Sequence, residues 1–189
     1  MGITLTLPTP GDTATNGTWG TTLNTAFNAL NGCDVVKVKT ADGTGATSNT
    51  TLADDNQLVS MTLGVGTWII NCGFFHTGAA AGDIKIAWQF SGTTTTAVRG
   101  TVGQSAGSTS SLTSATAGPR TAGAADTAGT ITTGTIYGTD GTNLGVSLET
   151  GVLVVTVSGT FKIQMAQGTS SATTTLLKTG SYVWARQIA

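Results

Sequence analysis

Apolar side chains recur at every second position through most of the chain. Val36 and Val38 alternate with Lys37 and Lys39, and Val59, Met61 and Leu63 alternate with polar or small residues. Ile84, Ile86, Trp88 and Phe90 alternate with Asp83, Lys85, Ala87 and Gln89. A period of two places one set of side chains on one side of an extended backbone, so these segments predict half-buried strands. Trp68, Ile70, Cys72 and Phe74 point one way, while Ile69 and Phe75 make the opposite side partly apolar, as in a strand covered on both faces. That strand is expected to be central. The alternation returns at 131–137, 144–148, 152–157, 161–165, 173–177 and 182–188, with turns at Asp140-Gly141 and Ser158-Gly159. About ten short strands at this spacing predict an all-β domain over residues 35–189, a jelly-roll-like β-sandwich.

Residues 1–34 carry a different pattern. Pro8 and Pro10 favour an extended arm, because each fixes its own φ and restricts the residue before it. From Thr18 onward Trp19, Leu23, Ala26, Phe27 and Leu30 fall at helical spacing, with Asn16 or Thr18 to cap the start and Asn31-Gly32 to end it. A helix of about 14 residues is marginal alone in water, so its apolar stripe needs a partner. That partner is either its own β domain or two symmetry mates in a short trimeric stem. Trp19, Leu23, Phe27 and Leu30 are therefore the candidate assembly residues of an attachment and oligomerisation segment, 1–34. Residues 103–118 are nearly all Gly, Ser, Thr and Ala and predict a long surface loop. The Gly-Thr punctuation contains no exact repeat, which argues against a propeller or solenoid.

Charge changes this picture. Only 9% of residues are charged, against about 25% in an average domain. Because 39% are apolar and include four Trp and five Phe, the low charge signals a neutral surface rather than disorder. A nearly uncharged surface has little to oppose association and suits a chain covered by copies of itself or by neighbours. The net charge of -1, with eight Lys and Arg scattered singly, offers no basic stripe for nucleic acid. The apolar runs at 63–75 and 152–157 are too short for membrane insertion. The start, Met1-Gly2-Ile3-Thr4-Leu5, has no secretory pattern, so synthesis in a cytoplasm is expected, with Cys33 and Cys72 as free thiols.

Candidate chemistry is sparse. His76 is the sole histidine and reads as a loop residue at a strand end, without a partner histidine for zinc or a Gly-x-Ser-x-Gly elbow. Asp54-Asp55 reads as a solvated turn, since adjacent carboxylates on a strand face opposite ways. Asp140-Gly141-Thr142-Asn143 lacks the repeated acids of a calcium loop and reads as a hairpin turn. No phosphate-binding glycine loop occurs. Trp68, Trp88 and Trp184 read as core, and Trp19 as a subunit contact. The expectation is no catalytic residue, no cofactor and no metal.

The run Leu7-Pro8-Thr9-Pro10-Gly11-Asp12-Thr13, followed by Thr18-Trp19-Gly20-Thr21-Thr22-Leu23-Asn24-Thr25-Ala26-Phe27-Asn28-Ala29-Leu30, resembles the attachment segments of tailed-phage tail-fibre and minor tail proteins. The stretch Gly159-Thr160-Phe161-Lys162-Ile163-Gln164-Met165-Ala166-Gln167, continued at Gly180-Ser181-Tyr182-Val183-Trp184, looks like the last strands of phage fibre-knob and head-fibre domains, which resemble trimeric jelly rolls of the tumour-necrosis-factor and C1q type. The chain is short for a tail fibre and has no repetitive shaft. The resemblance implies a non-enzymatic virion protein, homotrimeric, whose partners are itself and other proteins of the tail or capsid, with a host-surface glycan as a further partner. A minor tail or fibre-tip knob is the first expectation and a capsid decoration or head-fibre protein the second. A carbohydrate-binding module using an aromatic with Asp83 or Asp140, and then a hydrolase using His76, are the remaining alternatives.

Overall fold

The computed structural model describes residues 34–104, 119–120 and 134–189. The expected arm and helix, with Trp19, Leu23, Phe27 and Leu30, lie outside the described residues, as does most of the expected loop at 103–118. The described residues form an all-β sandwich of twelve strands: β1 (Asp34–Val38), β2 (Ala53–Asp54), β3 (Met61–Leu63), β4 (Gly66–Thr77), β5 (Ile84–Phe90), β6 (Thr93–Val102), β7 (Pro119–Arg120), β8 (Thr135–Tyr137), β9 (Gly145–Val157), β10 (Gly159–Gln167), β11 (Leu176–Leu177) and β12 (Tyr182–Gln187).

The pairing is that of a ribbon made from the two halves of the chain. β1 pairs with β12, β3 with β10, β4 with β9 and β5 with β8, all antiparallel. The ribbon then rolls up: β12 pairs with β4 and β10 with β5. The result is β1-β12-β4-β9 in one sheet and β3-β10-β5-β8 in the other, the eight-strand arrangement of a jelly roll. β6 and β7 extend the first sheet beyond β9, β11 adds to β4, and β2 adds to β10, giving sheets of seven and five strands. β4 is central, as its two-sided apolar pattern predicts.

Between the sheets the side chains with period two meet. Trp68, Ile70 and Phe74 of β4, Leu153 and Val155 of β9 and Val183 and Ala185 of β12 pack against Ile84, Ile86 and Trp88 of β5 and Phe161 and Ile163 of β10. All are 4% exposed or less, so this is one continuous core. Trp88 meets Phe161 edge to face at 5.4 Å between ring centroids, a favourable aromatic geometry.

The structure departs from the sequence pattern in several places, each for a local physical reason. The segments 144–148 and 152–157 are one strand, β9, running straight through Gly151. Gly151 is there for space rather than for a turn: a Cβ would sit 2.1 Å from the Val98 carbonyl oxygen and 2.9 Å from the Trp88 ring. β6 carries almost no apolar alternation because its inward positions are Thr94, Ala97, Arg99 and Thr101, and because its register with β9 shifts between Thr93 and Thr96. In 173–177 only Leu176–Leu177 is strand. The turns at Asp140-Gly141 and Ser158-Gly159 carry the chain from one sheet to the other rather than closing hairpins. On β1 the period is right and its direction reversed: Val36 and Val38 are 55% and 51% exposed, while Val35 packs against the core and Lys39, just beyond the strand, is buried.

Candidate functional site

The polar side chains and the exposed surfaces of the sandwich fall into three places. The first is inside the sandwich. Arg99 of β6 and Glu149 of β9 project inward and meet as a two-point pair, Nε to Oε2 at 3.0 Å and Nη2 to Oε1 at 2.5 Å. Arg99 Nη2 also donates to the Ile86 carbonyl at 2.9 Å, and its guanidinium lies 5.4 Å from the centre of the Trp88 ring. Tyr137 donates its hydroxyl to Glu149 Oε1 at 2.6 Å. A buried ion pair is tolerable only when its donors and lone pairs are matched this fully. Burial, reinforced by the Glu149 charge, pushes the Tyr137 hydroxyl and the Cys72 thiol far above their ordinary ranges, so both stay protonated. Neither is poised as a nucleophile.

Beside this cluster, His76 lies within β4 and is 1% exposed, not at the tip of a loop. Its ring stacks on Tyr137 at 6.2 Å, and Gly145 leaves the room it occupies, since a Cβ there would fall 2.3 Å from the ring. Neither ring nitrogen has a hydrogen-bond partner among the described residues. Burial therefore lowers its pKa from 6.5 to about 4 and holds the ring neutral.

The second place is one end of the sandwich. Asp55 is buried rather than solvated: it takes Lys39 Nζ at 2.9 and 2.7 Å and accepts the Gln57 and Leu58 amides, each at 2.9 Å. The third donor of Lys39 goes to Asn56 Oδ1 at 2.9 Å. This knot ties the loop after β1 to the loop between β2 and β3. Its neighbour Asp54 faces outward on β2 and pairs with Lys162 at 2.7 Å, which lowers its pKa. Two hollows, of about 330 and 470 Å³, flank Asp54, Asp55 and Asn56. Asp83 and Asp140 are engaged locally, Asp83 with the Thr139 amide at 3.2 Å and Asp140 with the Thr142 and Asn143 amides at 2.9 and 2.7 Å.

The third place is the pair of outer faces. The five-stranded sheet turns Thr62, Lys85, Gln89, Lys162 and Gln164 outward, a polar set that is exposed at Thr62 and half-buried at the other four. The seven-stranded sheet turns out Val36 and Val38, Tyr182 and Trp184, Ile69 and Phe75, Val146, Leu148 and Val152, and Val98 and Val102. Trp184, expected in the core, belongs to this face. Sequence reading missed the face because on β6 and the first half of β9 the larger apolar side chains point outward and the polar ones inward. The signal available was the placement of Arg99 and Glu149 at the same parity as Ala97 and Leu153.

No family model matches the chain, and no curated protein matches it. Among solved structures, one titled "Structure of infectious bursal disease virus Gx strain" is similar at 12% identity with a TM-score of 0.19, over 80% of this chain and 40% of that one. The chain thus spans less than half the length of that neighbour.

Two measurements test the buried groups. Asp55→Ala strands the Lys39 charge and two amides, and is expected to lower unfolding free energy by roughly 3–5 kcal/mol in denaturant titration, against about 1 kcal/mol or less for Asp54→Ala, whose pair is solvated. For His76 the unfolded chain takes up a proton below pH 6.5 that the fold refuses until about 4, so stability is full above 6.5 and falls as pH drops through that window. The drop is about 3 kcal/mol, from the width of the window. Equilibrium unfolding of His76→Phe across the same pH range is expected to lose that slope.

Proposed function

We propose that this chain is a non-enzymatic structural protein of a tailed-phage virion, a homotrimeric knob at the tail or fibre tip held through its N-terminal segment. The observation that carries this reading is the junction at Asp34. The stretch Thr18 to Leu30, which resembles phage attachment segments, leads within three residues into β1, an edge strand of the jelly roll. Only Asn31, Gly32 and Cys33 stand between that stretch and the sandwich in the sequence.

The interior supports the same role. Arg99, Glu149 and Tyr137 satisfy one another under a covering of tryptophan, and Lys39 and Asp55 do so at the sandwich end. These pairs fix two sheets to each other and suit a knob that must hold its shape. The near-neutral chain fits a protein packed among copies of itself and other virion proteins of the tail or capsid.

Gold-labelled antibody against the folded domain, applied to purified particles of the virus encoding the chain, is expected to mark the tail tip. Label on the head instead selects the decoration or head-fibre reading. Particles without label overturn the virion role.

A further inference from the structure

The geometry points to the outer face of the seven-stranded sheet as the surface through which copies of this chain associate. The inference rests on the homotrimer reading above and assigns it a contact surface. The cross-strand register lays the outward side chains in rows: Val38, Tyr182, Gly73, Leu148 and Val102 in one, Val36, Trp184, Asn71, Thr150 and Gly100 in the next, Ile69, Val152 and Val98 in a third beside Asp34 and Arg186. Phe75 and Val146 begin a fourth. Leu148, Val146, Val102 and Val98 are 51%, 49%, 46% and 43% exposed.

Three features set this face apart from an ordinary sheet surface. The two polar side chains at its centre engage each other, Thr150 donating to Asn71 Oδ1 at 2.9 Å. Among the described outward positions of β1, β12, β4, β9 and β6 the only charges are Asp34 and Arg186, which face each other across one rim at 3.8 Å. On β6 and the first half of β9 the polar side chains Arg99, Thr101, Ser147 and Glu149 are buried while Val98, Val102, Val146 and Leu148 look out. An isolated domain would gain by the reverse arrangement; an assembled one turns the outward set into a second interior.

Size and chemistry choose the occupant. Five strands at about 4.8 Å spacing and nine residues at about 3.3 Å rise give a face of roughly 700 Å², close to the about 800 Å² per partner of a stable association. A helix of the length predicted before Asp34, about 20 Å by 10 Å, would cover roughly a third of it. Surfaces this apolar and uncharged are characteristic of permanent contacts between identical chains, whereas transient partners leave more charge. Around a threefold axis each copy sets these rows against its neighbours, so apart from the Asp34 and Arg186 rim pair no charge is left facing an apolar neighbour.

The test is the solution mass of the full chain by light scattering at micromolar concentration, beside variants on each face. Wild type is expected to be trimeric. Leu148→Arg buries an unpaired charge in every contact and is expected to weaken association at least about 100-fold, leaving folded monomer by circular dichroism. Gln164→Arg on the five-stranded sheet is expected to remain trimeric. Val36→Asp, on the edge strand with its side chain already in solvent, supplies the same reading if Leu148→Arg fails to fold. A wild-type monomer contradicts the trimer reading itself. A trimer that survives Leu148→Arg and Val36→Asp with unchanged affinity overturns this surface while leaving the trimer standing. A dimer dissolved by those variants supports the surface and overturns the threefold count.

Discussion

The ladder between β4 and β9 is the constraint on which the rest of the molecule depends. It pairs eleven positions without a break, from Gly66 opposite Val155 to His76 opposite Gly145. A shift of one residue along it would send every side chain of β9 to the other side of the sheet. Trp68, Ile70 and Phe74 would then face strand neighbours of the wrong kind, Glu149 would leave Arg99, and Gly151 would no longer lie under the Trp88 ring. The ladder is thus tied from inside by a bidentate ion pair and a tryptophan that only one register accommodates. β12 and β6 pair on its two sides, so the same register decides which residues line the outer face.

Because the two faces of a strand are coupled in this way, the interior ion pair and the exterior apolar patch are parts of one arrangement. Placing Arg99 and Glu149 inward leaves Val98, Val102, Val146 and Leu148 outward. Matched donors and acceptors make the inward half tolerable, and the Trp88 ring over the guanidinium adds to that match. The outward half has no counterpart within the described residues. The proposed self-association would add a protein layer to that sheet, and a sheet covered on both sides carries apolar residues on both.

Much of the architecture was legible in the sequence, and the misreadings share a cause. Period-two patterning located β4, β5, β10 and β12, because their inward sides are uniformly apolar. It gave the direction of β1 backwards, since Val36 and Val38 carry the apolar signal of a core yet lie on the outer face. It passed over β6, whose inward side holds two threonines and an arginine, and split β9 at Gly151, whose reason is the closeness of Trp88. Asp55 read as part of a solvated turn because its burial with Lys39 depends on two loops brought together by the roll of the ribbon. His76, read as a loop residue, is buried by the same closure of β4 against Tyr137. In each case the missing information was a contact distant in sequence, which local periodicity does not carry. The assembly residues read from the N-terminal stripe, Trp19, Leu23, Phe27 and Leu30, lie outside the described residues.

Hydroxyl-radical footprinting of the full chain, compared with the Leu148→Arg chain at equal concentration, tests the central claim most directly. Tyr182 and Trp184 are reactive rings on the outer face, and Leu148 lies between them and β6. The account predicts that both rings are protected several-fold in the wild-type protein and become reactive in the variant, while Met165, on the five-stranded sheet, reacts alike in both. Equal labelling of Tyr182 and Trp184 in the two chains would contradict it.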